Sequence, residues 1–327
     1  MRLMASLILR ASAVLAAPSD YGWYPEDNPE PAGAPHVNQT TVEWPEFASV
    51  QEWAAAQDLE SMRIDFDRDG YVVARGIIPD DRSLDIYKEL HDALLRGDLQ
   101  APGRHDLGAH VEQKIAGSEN VGQIMWPSDL AAGAREGPLH QRGYALARAL
   151  LGDDAAFDFD MLIWKEAHTD TETPWHQDEG YWPSGMVDKR AITVWSALDA
   201  ADTANGAMWM VRASHLGPLH AHRPAGNGSH ILTTDAVSED TPGATPVPLA
   251  PGDAVVWHGR TCHYSRGNSS PRRRRTFIAN FRPREMVRWE RDHGFDHLRK
   301  GMADYKNQQA NAGDVYRDSP ATVKTEL

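Results

Sequence analysis

The second half of the chain is a succession of short apolar segments separated by turn residues, and this rhythm constrains the fold more than any other feature. The segments are rich in Val, Ile, Phe, Trp and Thr, the residue types that favour strands. Turn residues recur roughly every 8 to 15 positions. We interpret as strands the ranges 157–166, 191–199, 206–214, 244–253, 254–259 and 275–283. The rhythm predicts an antiparallel β-sandwich or barrel.

The residues before this region predict a strand followed by a helix. Tyr71–Arg75 has the composition of a strand and ends at Gly76. Apolar residues recur at helical spacing over 84–94, and Gly97 is a typical helix stop. We therefore expect a mainly β domain with flanking helices.

Composition excludes several classes of function. The chain has 327 residues and a formal net charge of −14, which disfavours nucleic acid and anionic membrane surfaces as partners. Its one cysteine, Cys262, can form neither an intramolecular disulfide nor a thiolate metal site by itself. Any bound metal must therefore be held by histidines and carboxylates.

The two ends of the chain have the composition of extensions to this domain. The first 20 residues carry Arg2 and Arg10 without an acid before Asp20, which suits an organellar transit peptide; Arg10 also interrupts the apolar run that a secretory signal needs. We expect a cytoplasmic protein, and no segment reaches the roughly 20 apolar residues of a membrane span. The expected divisions are a leader and irregular arm (1–60), a β domain (61–285) and a helical, polar tail (286–327).

The segment TPWHQDEGYWP, residues 173–183, is the most informative for function. His176 and Asp178 are two positions apart, and side chains at i and i+2 of a β-strand lie on the same face. An imidazole and a carboxylate so placed suit a divalent first-row metal, and a further histidine would complete a facial triad with open positions. Taken alone, the pair is a weak signal, and a His–Asp pair that hydrogen-bonds on a surface turn explains it better than a metal site does.

A second segment, residues 251–283, strengthens the metal hypothesis. Pro251-Gly252-Asp253 predicts a turn, and His263 then lies at the start of a strand. Arg274 follows about one strand later, and its guanidinium can bind a carboxylate through two parallel hydrogen bonds. A ligand with a carboxylate at each end could bind both the metal and this arginine.

Together these motifs resemble the phytanoyl-CoA dioxygenase (PhyH-like) family, a branch of the iron(II)- and 2-oxoglutarate-dependent oxygenases. The resemblance runs from about Phe66 to Pro283. It is carried by FDRDGYVVARGIIP, TPWHQDEGYWP, ITVWSALDAADTANGAMWMVRASH and the ending with a Gly-Asp turn, a strand, a histidine and an arginine. It implies a double-stranded β-helix, the jelly-roll or cupin-like barrel, with a metal at one open end.

The resemblance also implies roles for individual residues. The Fe(II) ligands would be His176, Asp178 and His263. The pocket for the cosubstrate 2-oxoglutarate would contain Arg274, Ser265, Trp195, Gln177 and Lys165. Arg274 would bind the 5-carboxylate with help from Ser265, whereas Lys165 is equally compatible with an edge-strand lysine that reaches water. No catalytic residue beyond the metal centre is implied.

Three details depart from the family pattern. Tyr264 stands where the family often has Gly, and Arg212-Ala213-Ser214-His215 replaces a common Pro-Gly-Ser-His turn. In the run of four arginines, Arg272 would share the strand face of Arg274 and stays an alternative partner for the carboxylate.

The implied reaction is hydroxylation of a small organic substrate, in which O₂ also converts 2-oxoglutarate to succinate and CO₂. Asp178 argues against the related halogenases, which have a small residue at this position so that chloride can bind the iron. Two alternatives stay open: a non-catalytic cupin-like binding module and a zinc-dependent hydrolase on the same barrel. The sequence does not choose among acyl-CoA, amino acid, osmolyte and secondary-metabolite substrates, and it does not indicate an oligomeric state.

Overall fold

The computed structural model describes residues 21–28, 40–97, 101, 103–108, 119–183, 185–226 and 231–299. The predicted leader, 1–20, and residues 300–327 of the predicted tail lie outside the described residues. The α-helices of the described ranges are α1 Val50–Ala56, α2 Leu59–Asp69, α3 Asp81–Arg96, α4 Pro138–Leu151 and α5 Arg284–Asp292. Short 3-10 helices span Pro127–Leu130, Ala134–Glu136, Asp178–Tyr181 and Ser214–Leu216.

The strands form two large sheets and two short pairs. In chain order they are β1 Thr40–Thr41, β2 Tyr71–Ala74, β3 Arg104–Asp106, β4 Val121–Met125, β5 Ala131–Ala132, β6 Ala155–Lys165, β7 Thr173–His176, β8 Ile192–Ala197, β9 Met208–Val211, β10 Arg223–Pro224, β11 Leu232–Thr233, β12 Ala244–Val247, β13 Ala254–His258, β14 His263–Ser265 and β15 Arg274–Pro283. The major sheet has the order β2-β13-β8-β15-β6-β4-β3, and the minor sheet has the order β12-β9-β14-β7. β1 pairs with β5, and β10 pairs with β11.

The predicted fold class is confirmed: the chain is mainly β, with the two facing sheets of a jelly roll and flanking helices. Every pairing within the two large sheets is antiparallel, and neither sheet closes into a full barrel. The predicted helix over 84–94 is the central part of α3. It ends at Gly97, whose φ of +80° is a left-handed conformation that glycine adopts without strain.

The central strand β15 shows how the major sheet separates the core from the cavity. Phe277 is fully buried on the outer face, where its ring contacts Tyr87 of α3 and His140 of α4. Burying such a ring stabilises the fold by roughly 1.5–3 kcal/mol. Arg274 and Ile278 alternate with it and line a cavity on the inner face, between the two sheets.

The N-terminal region contains a helix and a packed aromatic residue within the range expected to be a leader and irregular arm. Residues 50–56 form α1, because Ser49 and Glu52 make a capping box that satisfies free backbone N–H groups at the helix start. Trp23, in the described segment 21–28, packs its ring edge-on against Phe157 at 5.6 Å between centroids. Parts of the range 1–60 therefore belong to the packed core.

Among the described residues, none of the helices combines the length and apolar character that crossing a bilayer requires.

Candidate functional site

Three side chains singled out in the sequence meet at one end of the minor sheet. His176 is the last residue of β7, His263 is the first of β14, and the two are directly paired across the strands with ring centroids 4.1 Å apart. The sequence predicted that Asp178 continues the strand. It instead begins a 3-10 helix. The chain turns there because the Glu179 amide donates to the Gly259 carbonyl at 2.8 Å. Asp178 still reaches both histidines.

The three ligand-type atoms face one another. Asp178 Oδ1 lies 3.6 Å from Nε2 of His176 and 3.4 Å from Nε2 of His263. The Nδ1 atoms of the histidines lie 2.7 Å and 2.9 Å from the carbonyls of Pro174 and Thr261, to which they donate. Each ring therefore directs the lone pair of Nε2 at the shared point, as a metal-ligating histidine does. Such a set of one carboxylate and two imidazoles could hold a metal ion.

Two residues that the sequence did not single out bind the other oxygen of Asp178. Thr193 Oγ1 donates to Asp178 Oδ2 at 2.9 Å, and Trp257 Nε1 donates to the same atom at 2.8 Å. Thr193 and Trp257 are cross-strand partners on β8 and β13. The pair fixes the carboxylate and leaves Oδ1 toward the histidines.

The electrostatics of the cluster favour the protonation states that bind metals. Burial lowers the pKa of His176, and the neighbouring His263 lowers it further, so the neutral ring is favoured. Burial alone would raise the pKa of Asp178, but the adjacent imidazoles of His263 and His176 hold that pKa well below its usual range. A metal would thus meet an ionised carboxylate.

Arg274 is buried on β15, in the wall of the same cavity. Its Nη2 donates to the Gly206 carbonyl at 3.2 Å, and its Nε lies 3.4 Å from the Asn205 carbonyl. Nη1 has no hydrogen-bond partner among the described residues. Burial lowers the pKa of Arg274 to about 10, which leaves the guanidinium charged at neutral pH. By contrast, Arg272 is exposed and precedes the strand.

The other predicted pocket residues have different surroundings. Trp195 and Ser265 line the cavity, and the Arg274 guanidinium lies 5.0 Å from the centre of a Trp195 ring. Ser265 Oγ donates to the Gly206 carbonyl at 2.8 Å. Gln177 faces elsewhere: its amide Nε2 donates to the Arg260 carbonyl at 2.8 Å, and its Oε1 accepts from the His220 amide at 2.8 Å.

Lys165 is fully buried directly across the strands from Arg274. Its Nζ donates to the carbonyls of Thr171 at 3.0 Å and Ser265 at 3.2 Å. Burial and the charge of Arg274 hold its pKa well below the usual range. The alternative of an edge-strand lysine that reaches water is wrong, because β6 lies between β15 and β4.

The cavity that joins these groups has a volume of about 210 Å³. It contains the metal-type cluster at one side and Arg274 at another, and most of its remaining wall is apolar. The apolar wall includes Leu107, Met125, Phe159, Met161, Ile163, Tyr181, Trp182, Ile231, Phe295 and Leu298. The site thus combines a few convergent polar groups with a hydrophobic chamber, as small-molecule sites do.

Comparisons with known proteins agree on one family. Residues 66–276 match the family model described as phytanoyl-CoA dioxygenase (PhyH). Phytanoyl-CoA dioxygenase domain-containing protein 1 of Bos taurus is 28% identical over 153 residues, which cover 45% of this chain and 52% of that protein. The protein of the same name from Mus musculus is 26% identical over 125 residues, or 37% of this chain and 42% of that protein. The chain spans about half the length of the curated relatives it matches.

Solved structures share the fold at lower identity. EvdO2 from Micromonospora carbonacea var. aurantiaca, complexed with 2-oxoglutarate, is 23% identical with a TM-score of 0.56 and covers 75% of this chain and 99% of that chain. The epimerase SnoN, in complex with Fe3+, alpha ketoglutarate and nogalamycin RO, is 22% identical with a TM-score of 0.52 and covers 70% of this chain and 84% of that chain. Because the family match spans well over half of its length, the chain belongs to the phytanoyl-CoA dioxygenase family.

Proposed function

We propose that the chain is an Fe(II)- and 2-oxoglutarate-dependent dioxygenase that hydroxylates a small organic molecule. Family membership supports an oxygenase in general terms. The observation that carries the finer proposal is Arg274, a buried cation whose Nη1 has no partner in the described part of the chain and which shares one cavity with His176, Asp178 and His263. A buried charge without a partner is costly, so this cation suits a ligand carboxylate.

The three clustered residues fit Fe(II) by the chemistry of their donors. His176, Asp178 and His263 would hold it through two Nε2 atoms and Oδ1, leaving the remaining positions for 2-oxoglutarate and O₂. When bound, Fe(II) supplies the O₂ chemistry that converts 2-oxoglutarate to succinate and CO₂ and places one oxygen atom into a substrate C–H bond. One atom of O₂ goes to succinate and the other to the product hydroxyl.

The chain's own residues would then position the reactants. Arg274 would bind the far carboxylate of 2-oxoglutarate, and Trp195 would support its guanidinium plane. Lys165, directly across the strands, adds a nearby donor group whose hydrogen bonds hold β14 and the Thr171 loop in place. The apolar wall would exclude water from the reacting atoms.

The two alternatives from the sequence are less compatible with these contacts. A zinc hydrolase would use the same three ligands but would have no need for a buried, partly unpaired guanidinium in the same cavity. A non-catalytic binding module would not need the ordered hydrogen bonds that Thr193 and Trp257 make to Asp178.

Succinate formation tests the proposal. Protein loaded anaerobically with Fe(II) and 2-oxoglutarate is exposed to air, and succinate is measured for the native chain, His176→Ala, Arg274→Ala and the matched control Arg272→Ala. We expect succinate from the native chain and from the exposed-arginine control, with a loss of at least about 100-fold in the other two, since each removes a group that holds a reactant. Equal succinate from Arg274→Ala and Arg272→Ala would contradict the role given to Arg274.

A further inference from the structure

Part of the cavity wall comes from a segment that follows the region matched by the family. The match ends at residue 276, whereas Phe295, His297 and Leu298 lie after α5 and line the same cavity as the metal-type cluster. This wall therefore belongs to a part of the chain that the family comparison does not account for. It is a natural place for features that distinguish this chain's substrate.

A buried ionic network holds this wall in place. The carboxylate of Asp158 binds Arg282 at 2.6 Å and Arg291 at 2.5 Å. Glu290 binds Arg282 at 2.9 Å and Arg291 at 3.2 Å. His297 Nε2 lies 3.3 Å from Asp158 and 3.1 Å from Glu290. Two carboxylates thus offset two guanidinium groups and also bind the histidine.

In the same network, each ionisable side chain is bound by others of the protein. Asp158, Glu290 and His297 are spaced closely enough to resemble a second metal site. Both carboxylates are, however, already bound by arginines, which would repel a cation. Arg282 and His297 are thus the ionisable residues on this side of the described cavity wall, and both bind carboxylates of the protein.

Much of the described cavity wall is apolar. β6 contributes Phe159, Met161 and Ile163, and the 3-10 helix after His176 contributes Tyr181. The His297 ring stacks on Phe159 at 3.8 Å between centroids with an interplanar angle of 17°, so it presents a flat face instead of a polar edge to its neighbour. Burial of apolar groups against such walls favours apolar ligands, because it removes apolar surface from water.

We propose that the substrate is a neutral, predominantly apolar small molecule, and that Phe295 and Leu298 contact it and determine specificity. This inference rests on the proposed function. A carboxylate on the part of the substrate inside the cavity would need a cation, and in the described wall Arg274 is assigned to the cosubstrate while Arg282 is bound by two carboxylates. An apolar molecule would instead fill the wall without breaking an ion pair.

The test compares matched compounds, each pair consisting of a neutral apolar ester and the free carboxylate of the same skeleton, such as methyl cinnamate and cinnamate. The readouts are the shift in melting temperature of the anaerobic Fe(II)- and 2-oxoglutarate-loaded protein, and the stimulation of 2-oxoglutarate consumption in air. Phe295→Lys places a cation in the wall. Phe47→Lys is the matched control, since Phe47 is also half-buried but contacts Arg142 on the helical side of the molecule.

We expect the neutral member of each pair to bind more tightly to the native chain. The neutral-to-carboxylate preference should fall about tenfold in Phe295→Lys and stay unchanged in Phe47→Lys, a ratio that partial unfolding would not alter. The inference is overturned if the carboxylates bind as well as or better than the neutral compounds, or if no neutral compound binds. It is also overturned if the neutral-to-carboxylate ratio is the same in both variants. If the native chain consumes 2-oxoglutarate but gives one of those results, the inferred substrate class is wrong and the proposed function stands. If the native chain neither binds nor consumes 2-oxoglutarate, the proposed function is wrong as well.

Discussion

At the scale of single residues, Trp257 and Thr193 decide which oxygen of Asp178 can face a metal. Both donate to Oδ2, and Oδ1 lies within 3.6 Å of the two histidine Nε2 atoms. A carboxylate fixed in this way loses less freedom when it binds an ion. Hydrogen bonds to a ligand of this kind typically change metal affinity 10- to 100-fold.

Trp257→Phe keeps an aromatic ring at this position and removes the N–H that donates to Asp178. We expect Co(II) affinity, measured by anaerobic calorimetry, to fall roughly 10- to 100-fold. Trp209→Phe is the matched control, because the Trp209 Nε1 has no hydrogen-bond partner among the described residues. An equal effect of the two substitutions on Co(II) binding would argue against the positioning role of Trp257.

The residue scale also shows where sequence reasoning ends. The spacing of His176 and Asp178 predicted that the two side chains share one site, although the strand ends at His176 and the geometry comes from a turn. The contacts of Thr193 and Trp257 with Asp178 could not be predicted from the sequence, because they form only when β8 and β13 are neighbours in the sheet. Gln177 was expected in the pocket, but its amide lies against the loop around His220, whose conformation local patterns do not encode.

At the scale of elements, the turn before β9 positions Arg274. The Gly206 carbonyl accepts hydrogen bonds from both Arg274 and Ser265. Gly206 has a left-handed φ of +87°, and a Cβ at this position would lie 2.7 Å from the Arg266 carbonyl oxygen. The turn therefore requires glycine for both conformation and space.

Gly206→Ala should destabilise the fold and weaken 2-oxoglutarate binding, because the turn must move and carry its carbonyl away from Arg274. Gly76→Ala is a matched control: its φ is +56°, but a Cβ there would meet nothing within 4 Å. Both variants incur a left-handed penalty of roughly 1–2 kcal/mol, and the close contact should add about 1–3 kcal/mol at Gly206 only. Urea unfolding measures the difference, and equal losses in the two variants would refute the crowding argument.

Strands and helices were the part of the fold that sequence patterns predicted well. The strand ranges and α3 follow from local apolar periodicity and from a stop such as Gly97. Local patterns do not specify which strands become neighbours, so the pairing of Lys165 with Arg274 and the order of the major sheet could not be derived from them. The same limit applies to Phe295, which reaches the cavity only through the packing of α5.

At the scale of the whole molecule, the two ends of the described chain are joined by ion pairs. Arg284 and Arg288 of α5 both lie 2.5 Å from the carboxylate of Asp27, and Arg299 lies 2.6 Å from Asp129. Together with the network around Asp158, these contacts hold the segment after α5 against the cavity. The N-terminal segment 21–28 thereby supports a wall of the site from a distance.

The buried network should make stability depend on pH through His297. Burial alone lowers the pKa of His297, but the carboxylates of Asp158 and Glu290 outweigh this and raise it above the usual value of about 6.5. Arg282 and Arg291 also face this group through the same carboxylates. Because the pKa of His297 is higher in the folded than in the unfolded state, its contribution to stability is fully present below about pH 6.5. That contribution is lost as pH rises through the folded-state pKa.

We therefore expect the stability lost in His297→Gln to be greatest below pH 6.5 and to shrink as pH rises beyond it. Melting temperatures of the native chain and the variant, recorded from pH 5 to pH 9, measure this difference. His293→Gln, at an exposed histidine just after α5, serves as control. A difference that grows with pH would contradict the charge assigned to His297.

The most direct test of the central claim is an anaerobic titration of 2-oxoglutarate into Fe(II)-loaded and metal-free protein, followed by calorimetry. We expect tight binding only when Fe(II) is present, with affinity at least about 100-fold weaker in Arg274→Ala and unchanged in Arg272→Ala. This follows if one carboxylate and the keto oxygen bind the metal while the other carboxylate binds the buried guanidinium. Binding that is independent of iron, or absent from the loaded protein, would contradict the assignment of the site.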